Sequence, residues 1–203
     1  MRIETLMPPT EVGKPWLLSL ENGELLKVSE GAMIDFALHK DRELSEEELE
    51  TLRAAETHRA LKDQAVALLL QRPYSKRELC TRLMRRGAEE VQAAEIAAWT
   101  EEIGLLDEGL YAARIVRHYS QKGFGPYKIR DELYRRGIPR ELWEEAIAEL
   151  PDPEEAIADY LHRYLRSTDP KALKRASDAL GRRGFSWSDI SPVIRRFGAQ
   201  WED

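Results

Sequence analysis

Three kinds of side chain in this sequence could do chemistry, and none of them forms a catalytic or metal-binding pattern. The single cysteine, Cys80, has no identifiable base near it, so we interpret it as a small helix residue and not as a nucleophile. Neighbouring acids such as Glu101-Glu102 and Glu144-Glu145 point to different faces of a helix and cannot act as a catalytic pair. The four histidines lack the spacing of metal ligands, and they are His39, His58, His118 and His162.

The segment Gly123-Phe124-Gly125-Pro126 resembles a phosphate-binding loop, but it lacks the Gly-x-x-x-x-Gly-Lys spacing and follows no predicted strand. We interpret it as a turn between helices. Without a nucleophile, a base and an oxyanion donor in any recognisable arrangement, the sequence predicts a protein that is not an enzyme and that needs no metal or cofactor.

Composition limits the classes of partner and compartment. The net charge of −6 provides no general attraction for nucleic acid or an anionic membrane, so any such binding must be local. One cysteine fits a reducing compartment. Neither a membrane-spanning apolar run nor a signal-peptide segment after Met1-Arg2-Ile3-Glu4 is found. We expect a monomeric, cytoplasmic protein that does not bind membranes.

Residues 1–56 predict a small acidic α+β domain. Glu21-Asn22-Gly23 carries the Asn-Gly pair of a tight hairpin turn, and its flanks, 16–20 and 24–28, have the length of strands. The alternating segment 2–6 could pair with them. Two helices are expected next, Glu30 to Leu38 and Ser45 to Ala55, the second opened by a capping box of Ser45 and Glu48. The domain carries 13 acids against 6 bases.

From residue 57 onward the chain repeats a Leu-x-Arg-Arg-Gly motif. The motif occurs at 83–87, 133–137 and 180–184, with spacings of 50 and 47 residues. Each copy ends a predicted helix, because the glycine suits the left-handed position that follows a helix and the arginines complement the negative end of the helix dipole. The motif therefore marks one helix in each of three repeats.

Flanking signals complete three helices per repeat, in repeats bounded at 57–105, 106–150 and 151–203. The expected helices are Arg59–Gln71, one capped by Ser75, and Glu89–Ile103; one from Asp107 to Lys122, one opened by Pro126 and one opened by Pro139; and Asp152–Leu165, one opened by Asp169-Pro170 and one capped by Ser186. The expected core positions are Leu68, Leu79, Leu83, Ile115, Ile129, Leu133, Leu161, Leu180 and Ile194. The fold class predicted is mainly α, with three tandem three-helix repeats in an elongated array preceded by the N-terminal hairpin domain.

The sign of the charge alternates along the repeats. Segments 59–87 and 114–140 each carry eight bases against two acids, and 171–196 carries seven against two. The intervening segments 89–108 and 141–159 carry seven and eight acids and no base. Each basic run could be only a solvated helix face, but if the repeats stack in register the middle helices form a basic stripe.

The stretch from Leu106-Asp107-Glu108 through Tyr111-Ala112 and Lys122-Gly123-Phe124-Gly125-Pro126 to Gly137-Ile138 resembles the signature of the RecX family. Segment 72–79 resembles the Arg-x-x-Ser-x-x-Glu-Leu element of the same family. The resemblance covers about residues 57 to 200. Two departures are Ala113, where a basic residue is common, and the acidic overall charge.

This resemblance implies a modulator that lies in the groove of a RecA–DNA filament and restrains recombinase, ATPase and coprotease activity. The basic middle helices could face DNA phosphates or an acidic recombinase surface. The predicted partner-binding residues are Arg77, Arg82, Arg85, Arg86, Lys122, Lys128, Arg130, Arg135 and Arg136. Two other functions remain open: a module that binds single- or double-stranded DNA without RecA, and an adaptor for another protein that docks through the acidic N-terminal domain.

Overall fold

The computed structural model describes residues 1–11, 13–167 and 169–199, and the chain divides into two compact units, one ending at Leu68 and one beginning at Leu69. The strands are β1 Ile3–Met7, β2 Trp16–Leu20 and β3 Leu25–Val28. The helices are α1 Glu30–Asp35, α2 Glu46–Gln71, α3 Lys76–Met84, α4 Glu90–Glu102, α5 Glu108–Gln121, α6 Pro126–Arg136, α7 Trp143–Ala148, α8 Pro153–Tyr164, α9 Pro170–Arg182 and α10 Trp187–Ala199. This content confirms the predicted fold class of a mainly helical protein with a small N-terminal sheet.

The first unit contains the predicted hairpin. Strands β2 and β3 pair antiparallel around a turn in which Gly23 has φ of +82°, and β1 pairs antiparallel with β2 on its other side. One face of this sheet packs on α1 and the start of α2 through buried aliphatic side chains. They are Ile3, Leu18, Leu20, Val28, Ala32, Leu38, Leu44, Leu49 and Leu52.

Two helix boundaries differ from those predicted. Helix α1 ends at Asp35, because Ala37 takes a left-handed conformation with φ of +43° that leaves Leu38 buried. The predicted end at Ala55 was wrong, since α2 continues to Gln71 as one helix. Neither glycine nor proline occurs at 56–58 to interrupt the helix. The hydroxyl of Thr57 donates a hydrogen bond to the carbonyl of Arg53.

The second unit consists of helical repeats, each with apolar side chains at its centre. Repeat two packs α5, α6 and α7 around Tyr111, Ile115, Ile129 and Leu133, whereas repeat three packs α8, α9 and α10 around a separate cluster. That cluster contains Ile157, Leu161, Leu180, Phe185, Ile190, Val193 and Phe197. Eight of the nine predicted core positions are buried, but Ile194 is only partly buried and Val193 occupies the interior instead.

The predicted helix ends of these repeats are largely confirmed. Ser75 forms its capping box with Glu78, and Asp107 caps α5. The motif glycines Gly87, Gly137 and Gly184 have φ of +96°, +74° and +90°. One start was misplaced: after Pro139 the chain makes a 3-10 turn over Arg140–Leu142, and α7 begins only at Trp143.

No helix in the described part of the chain combines the length and the apolar character needed to cross a membrane.

Candidate partner-binding surface

The middle helices of repeats two and three are joined end to end. The backbone N–H of Gly125, before α6, donates to the carbonyl of Arg183 at the end of α9 at 2.8 Å. The N–H of Tyr127 donates to the carbonyl of Gly184 at 3.1 Å. The unpaired donors at the start of one helix thus satisfy the unpaired acceptors at the end of the other.

The middle helices of repeats one and two are joined in the same sense, but through side chains. Ser75, the N-cap of α3, donates its hydroxyl to the carbonyl of Arg136 at the end of α6. The guanidinium of Arg77 donates to the carbonyls of Tyr134 at 2.9 Å and Arg135 at 2.6 Å. Arg77 therefore caps the helix of the neighbouring repeat.

In the second copy of the repeated motif, the second arginine turns inward. Arg136 donates to the hydroxyl of Tyr111 at 2.6 Å and lies 3.8 Å from Glu132 and 3.9 Å from Glu78. Glu132 is only 7% exposed, and Glu78 belongs to the preceding repeat. Arg136 consequently holds two carboxylates and a phenol together where repeats one and two meet.

Arg183 has the corresponding position in repeat three. Its guanidinium donates to the carbonyls of Lys122 at 3.0 Å and Gly123 at 3.3 Å, at the end of α5. It also lies 5.0 Å from the ring centroid of Tyr160 and 5.5 Å from that of Phe124. Arg183 thus joins repeats two and three, as Arg136 joins repeats one and two.

The first arginine of the motif faces solvent. Arg85, Arg135 and Arg182 are all exposed, and the side chain of Arg135 is 70% exposed although it lies 3.1 Å from Glu132. Within the described residues, the side chains of Arg85 and Arg182, like that of Arg82, form no hydrogen bond or ion pair. These guanidinium groups are available to a partner.

The nine predicted residues fall into four places. Arg77, Arg135 and Arg136 meet where α3 joins α6, and Lys122 and Lys128 lie where α6 joins α9. Arg130 lies 3.4 Å from the exposed Glu144. The remaining three, Arg82, Arg85 and Arg86, are exposed near the other end of α3.

Sequence reasoning missed several residues of this arrangement. Arg182 and Arg183 are the third copy of the motif and could have been included by aligning the repeats. Ser75 was predicted as a cap, but no local signal indicates that it also bonds to a residue 61 positions away.

Comparison with known proteins identifies the family. The model of the second three-helix domain of RecX matches residues 107–147. The regulatory protein RecX of Shigella dysenteriae serotype 1 is 33% identical over 151 residues, covering 68% of this chain and 91% of that protein. The chain belongs to the RecX family. This result confirms the resemblance that the sequence indicated.

Other RecX proteins agree with this assignment. The regulatory protein RecX of Escherichia coli strain SMS-3-5 is 38% identical over 151 residues, with the same coverage of 68% and 91%. A crystal structure of regulatory protein RecX covers 96% of this chain and 98% of its own, with a TM-score of 0.75 and 21% identity. The RecX crystal structure from Lactobacillus salivarius covers 70% and 97%, with a TM-score of 0.61 and 20% identity. The two structures share the fold, and the family is one of regulatory proteins.

Residues considered for chemistry at the outset have ordinary surroundings in this RecX-family chain. Cys80 is half-buried, its thiol donates weakly to the carbonyl of Ala93 at 3.5 Å, and burial raises its pKa. His118 lies exposed on α5. Among the described residues, no group of three or more histidines, cysteines or acids is placed to hold a metal ion.

A buried acid lies beside the joint of repeats one and two. Glu108, 7% exposed, accepts a 2.9 Å hydrogen bond from the backbone N–H of Lys76, the first residue of α3. Burial raises the pKa of Glu108, because a desolvated carboxylate is less stable when charged, and the bond from Lys76 offsets only part of that effect.

Replacing Glu108 with glutamine should remove a pH-dependent loss of stability. Because the folded-state pKa lies above the ordinary value of 4.5, the folded state holds the proton more tightly than the unfolded state. The contribution of Glu108 to the free energy of unfolding therefore falls as the pH rises from 4.5 through the folded-state pKa. Glutamine keeps an acceptor for the N–H of Lys76 and does not titrate.

Urea unfolding of both proteins between about pH 4 and about pH 7 measures this effect. As the pH rises through the folded-state pKa, the unfolding free energy of Glu108→Gln should increase relative to that of the native protein. Above that pH the difference between the two proteins should be constant. A difference that is the same at every pH would show that Glu108 has no raised pKa.

Proposed function

We propose that this RecX-family protein binds a RecA–DNA filament along its groove and inhibits recombinase, ATPase and coprotease activity through the exposed arginines of its middle helices. The observation that carries the proposal is that the two arginines of the repeated motif have different surroundings. The first arginine of each pair, at Arg85, Arg135 and Arg182, is exposed, while Arg136 and Arg183 join the repeats.

Repetition suits a partner that is itself repetitive. The exposed arginines recur at spacings of 50 and 47 residues on middle helices whose ends are bonded to one another. Several weak contacts held on one body reinforce each other through high effective concentration. A guanidinium pairs with two oxygens of a carboxylate or phosphate at once, which suits both protein and DNA surfaces of a filament.

The other predicted residues extend this surface. Arg82 and Arg86 accompany Arg85 at the end of α3. Lys122, Lys128 and Arg130 contribute further positive charge on repeat two. Arg77 and Arg136 contribute chiefly by holding the repeats together. On this proposal the protein acts as a monomer by occupying the filament, with no catalytic step and no cofactor.

The double variant Arg85→Glu/Arg135→Glu should inhibit RecA about 10- to 100-fold less effectively than the native protein, because two attractive contacts become repulsive. The protein is titrated into a pre-formed filament of RecA on single-stranded DNA while ATP hydrolysis is followed. Circular dichroism of the double variant checks that the helical content is retained, because Arg135 also donates a 3.1 Å bond to the buried Glu132.

A matched control changes the same amount of charge elsewhere. Lys27 and Lys40 are exposed on the N-terminal unit, so Lys27→Glu/Lys40→Glu should inhibit like the native protein. Equal inhibition by the arginine variant and the native protein would refute the assignment. Tight, strongly salt-dependent binding to DNA without RecA, lost in the arginine variant, would favour a DNA-binding module instead.

A further inference from the structure

Two tyrosines on α8, the partly buried Tyr160 and the exposed Tyr164, form an aromatic surface in repeat three. The ring centroids of Tyr160 and Tyr164 are 4.9 Å apart, and the rings are tilted by 43°. Tyr164 is 55% exposed, although α8 buries Ile157 and Leu161 completely in the core of the repeat. The aromatic face of Tyr164 is therefore directed away from the packing that stabilises the helix.

A cavity opens on each side of this tyrosine pair. The first, of about 320 Å³, lies between repeats two and three and is lined by Phe124, Arg163 and Arg183 together with both tyrosines. The second, of about 400 Å³, is lined by Arg166 and Arg175 together with both tyrosines. Both volumes are near the lower end of the range of about 300–1,000 Å³ that is typical of small-molecule binding sites.

Positive charge predominates around the two cavities. The cations that line them are Lys122, Arg163, Arg166, Arg175 and Arg183, and the carboxylates are Glu155, Asp159 and Asp169. The carboxylate of Asp169 is already engaged, because it accepts two 2.9 Å bonds from the backbone N–H groups of Lys171 and Ala172 at the start of α9. Arg163 and Arg166 are both exposed on either side of Tyr164 in the sequence.

One of these cations is held in place before any ligand arrives. The guanidinium of Arg183 is bonded to the carbonyls of Lys122 and Gly123 and lies 5.0 Å from the ring centroid of Tyr160. A ligand therefore meets one cationic group that is already ordered, so binding costs little side-chain entropy at Arg183.

We propose that this surface, which we call the α8 tyrosine site (Tyr160, Tyr164, Arg163, Arg166, Arg175 and Arg183), binds single-stranded nucleic acid. A base stacks on the exposed face of Tyr164, and arginines on both sides allow the phosphates to continue in both directions. Stacking on aromatic rings beside a cationic path is how proteins bind single strands without strong sequence preference. The site lies on repeat three and does not depend on the exposed arginines of α3 and α6.

The variant Tyr164→Ala should bind a labelled oligothymidylate of about 20 nucleotides about tenfold or more weakly than the native full-length chain, since each stacked base contributes about 1–3 kcal/mol. Fluorescence anisotropy at low salt and without RecA measures the affinity. Tyr164→Phe should bind like the native protein, because it keeps the ring and loses only the hydroxyl.

Two controls separate stacking from general charge. Tyr134 is a 61% exposed tyrosine on α6 outside both cavities, so Tyr134→Ala should bind like the native protein. The variant Arg166→Gln should lower the slope of affinity against salt by about one phosphate contact, whereas Tyr164→Ala should leave the slope unchanged.

The proposal is overturned if the native protein does not bind the oligonucleotide at low salt, or if Tyr164→Ala and Tyr134→Ala bind equally well. A parallel titration with oligouridylate separates DNA from RNA, and tighter binding of either strand that is lost in Tyr164→Ala supports the site. Because the assay contains no RecA, its failure leaves inhibition of the filament untouched.

Discussion

Replacing Gly184 with alanine should lower the free energy of unfolding by about 3–5 kcal/mol, whereas the same change at Gly87 should lower it by about 1–2 kcal/mol. Both glycines end a copy of the same motif, and both have a left-handed backbone, with φ of +90° and +96°. The difference comes from what surrounds them.

A Cβ atom added at Gly184 would collide with the backbone nitrogen and the Cβ of Lys128, in the first turn of α6. The same atom at Gly87 would meet nothing within 4 Å. Gly184→Ala therefore causes both backbone strain and a steric clash between repeats two and three. Gly87→Ala causes only backbone strain.

Chemical denaturation of the two variants measures both costs. Gly125→Ala isolates the steric part, because Gly125 has an ordinary φ of −85° and its Cβ would lie 2.5 Å from the carbonyl oxygen of Gly184. Equal destabilisation by Gly184→Ala and Gly87→Ala would show that repeats two and three do not meet at this point.

Substituting Arg136 with alanine should destabilise the protein by about 2–4 kcal/mol, whereas substituting its neighbour Arg135, which is largely exposed, should cost only about 0.5–1 kcal/mol. Without Arg136, the buried Glu132 and Glu78 each lose a cation, and the hydroxyl of Tyr111 loses its 2.6 Å bond, although that hydroxyl still donates to Glu78 at 3.2 Å. Without Arg135, Glu132 loses a 3.1 Å hydrogen bond to a mostly exposed guanidinium, but Arg136 still faces this carboxylate at 3.8 Å.

The two variants should differ in the property that they affect most. Arg135→Ala should weaken inhibition of RecA with only a small decrease in the unfolding midpoint, and Arg136→Ala should lower the midpoint by more. Thermal unfolding and the ATP hydrolysis assay, run on the same preparations, compare the two readouts. Similar stability of both single variants would contradict the inward placement of Arg136.

Local signals predicted much of this fold. The Asn22-Gly23 pair placed the hairpin, since few other dipeptides favour its left-handed turn, and the capping box of Ser75 placed the start of α3. The motif glycines placed three helix ends for the same reason. A residue with a restricted backbone or a short-range hydrogen bond determines the conformation of only a few neighbouring residues. Turns and helix ends can therefore be predicted from the local sequence.

The arrangement of the candidate surface could not be predicted in this way. The bonds that join the repeats connect residues 57 to 61 positions apart, and no local pattern specifies them. Adjacent arginines in a helix point in directions about 100° apart, so the motif alone does not say which one faces solvent. Only the partners of Arg136 and Arg183 distinguish them from Arg135 and Arg182.

The bonds between helix ends make the repeats dependent on one another during folding. If repeat three were to melt alone, the N–H groups of Gly125 and Tyr127 would lose their acceptors, and the end of α5 would lose its cap from Arg183. Unfolding of repeat three alone therefore leaves polar groups of the folded repeat two without their hydrogen-bond partners. Such coupling favours a single all-or-none transition of the helical unit over stepwise fraying from its end.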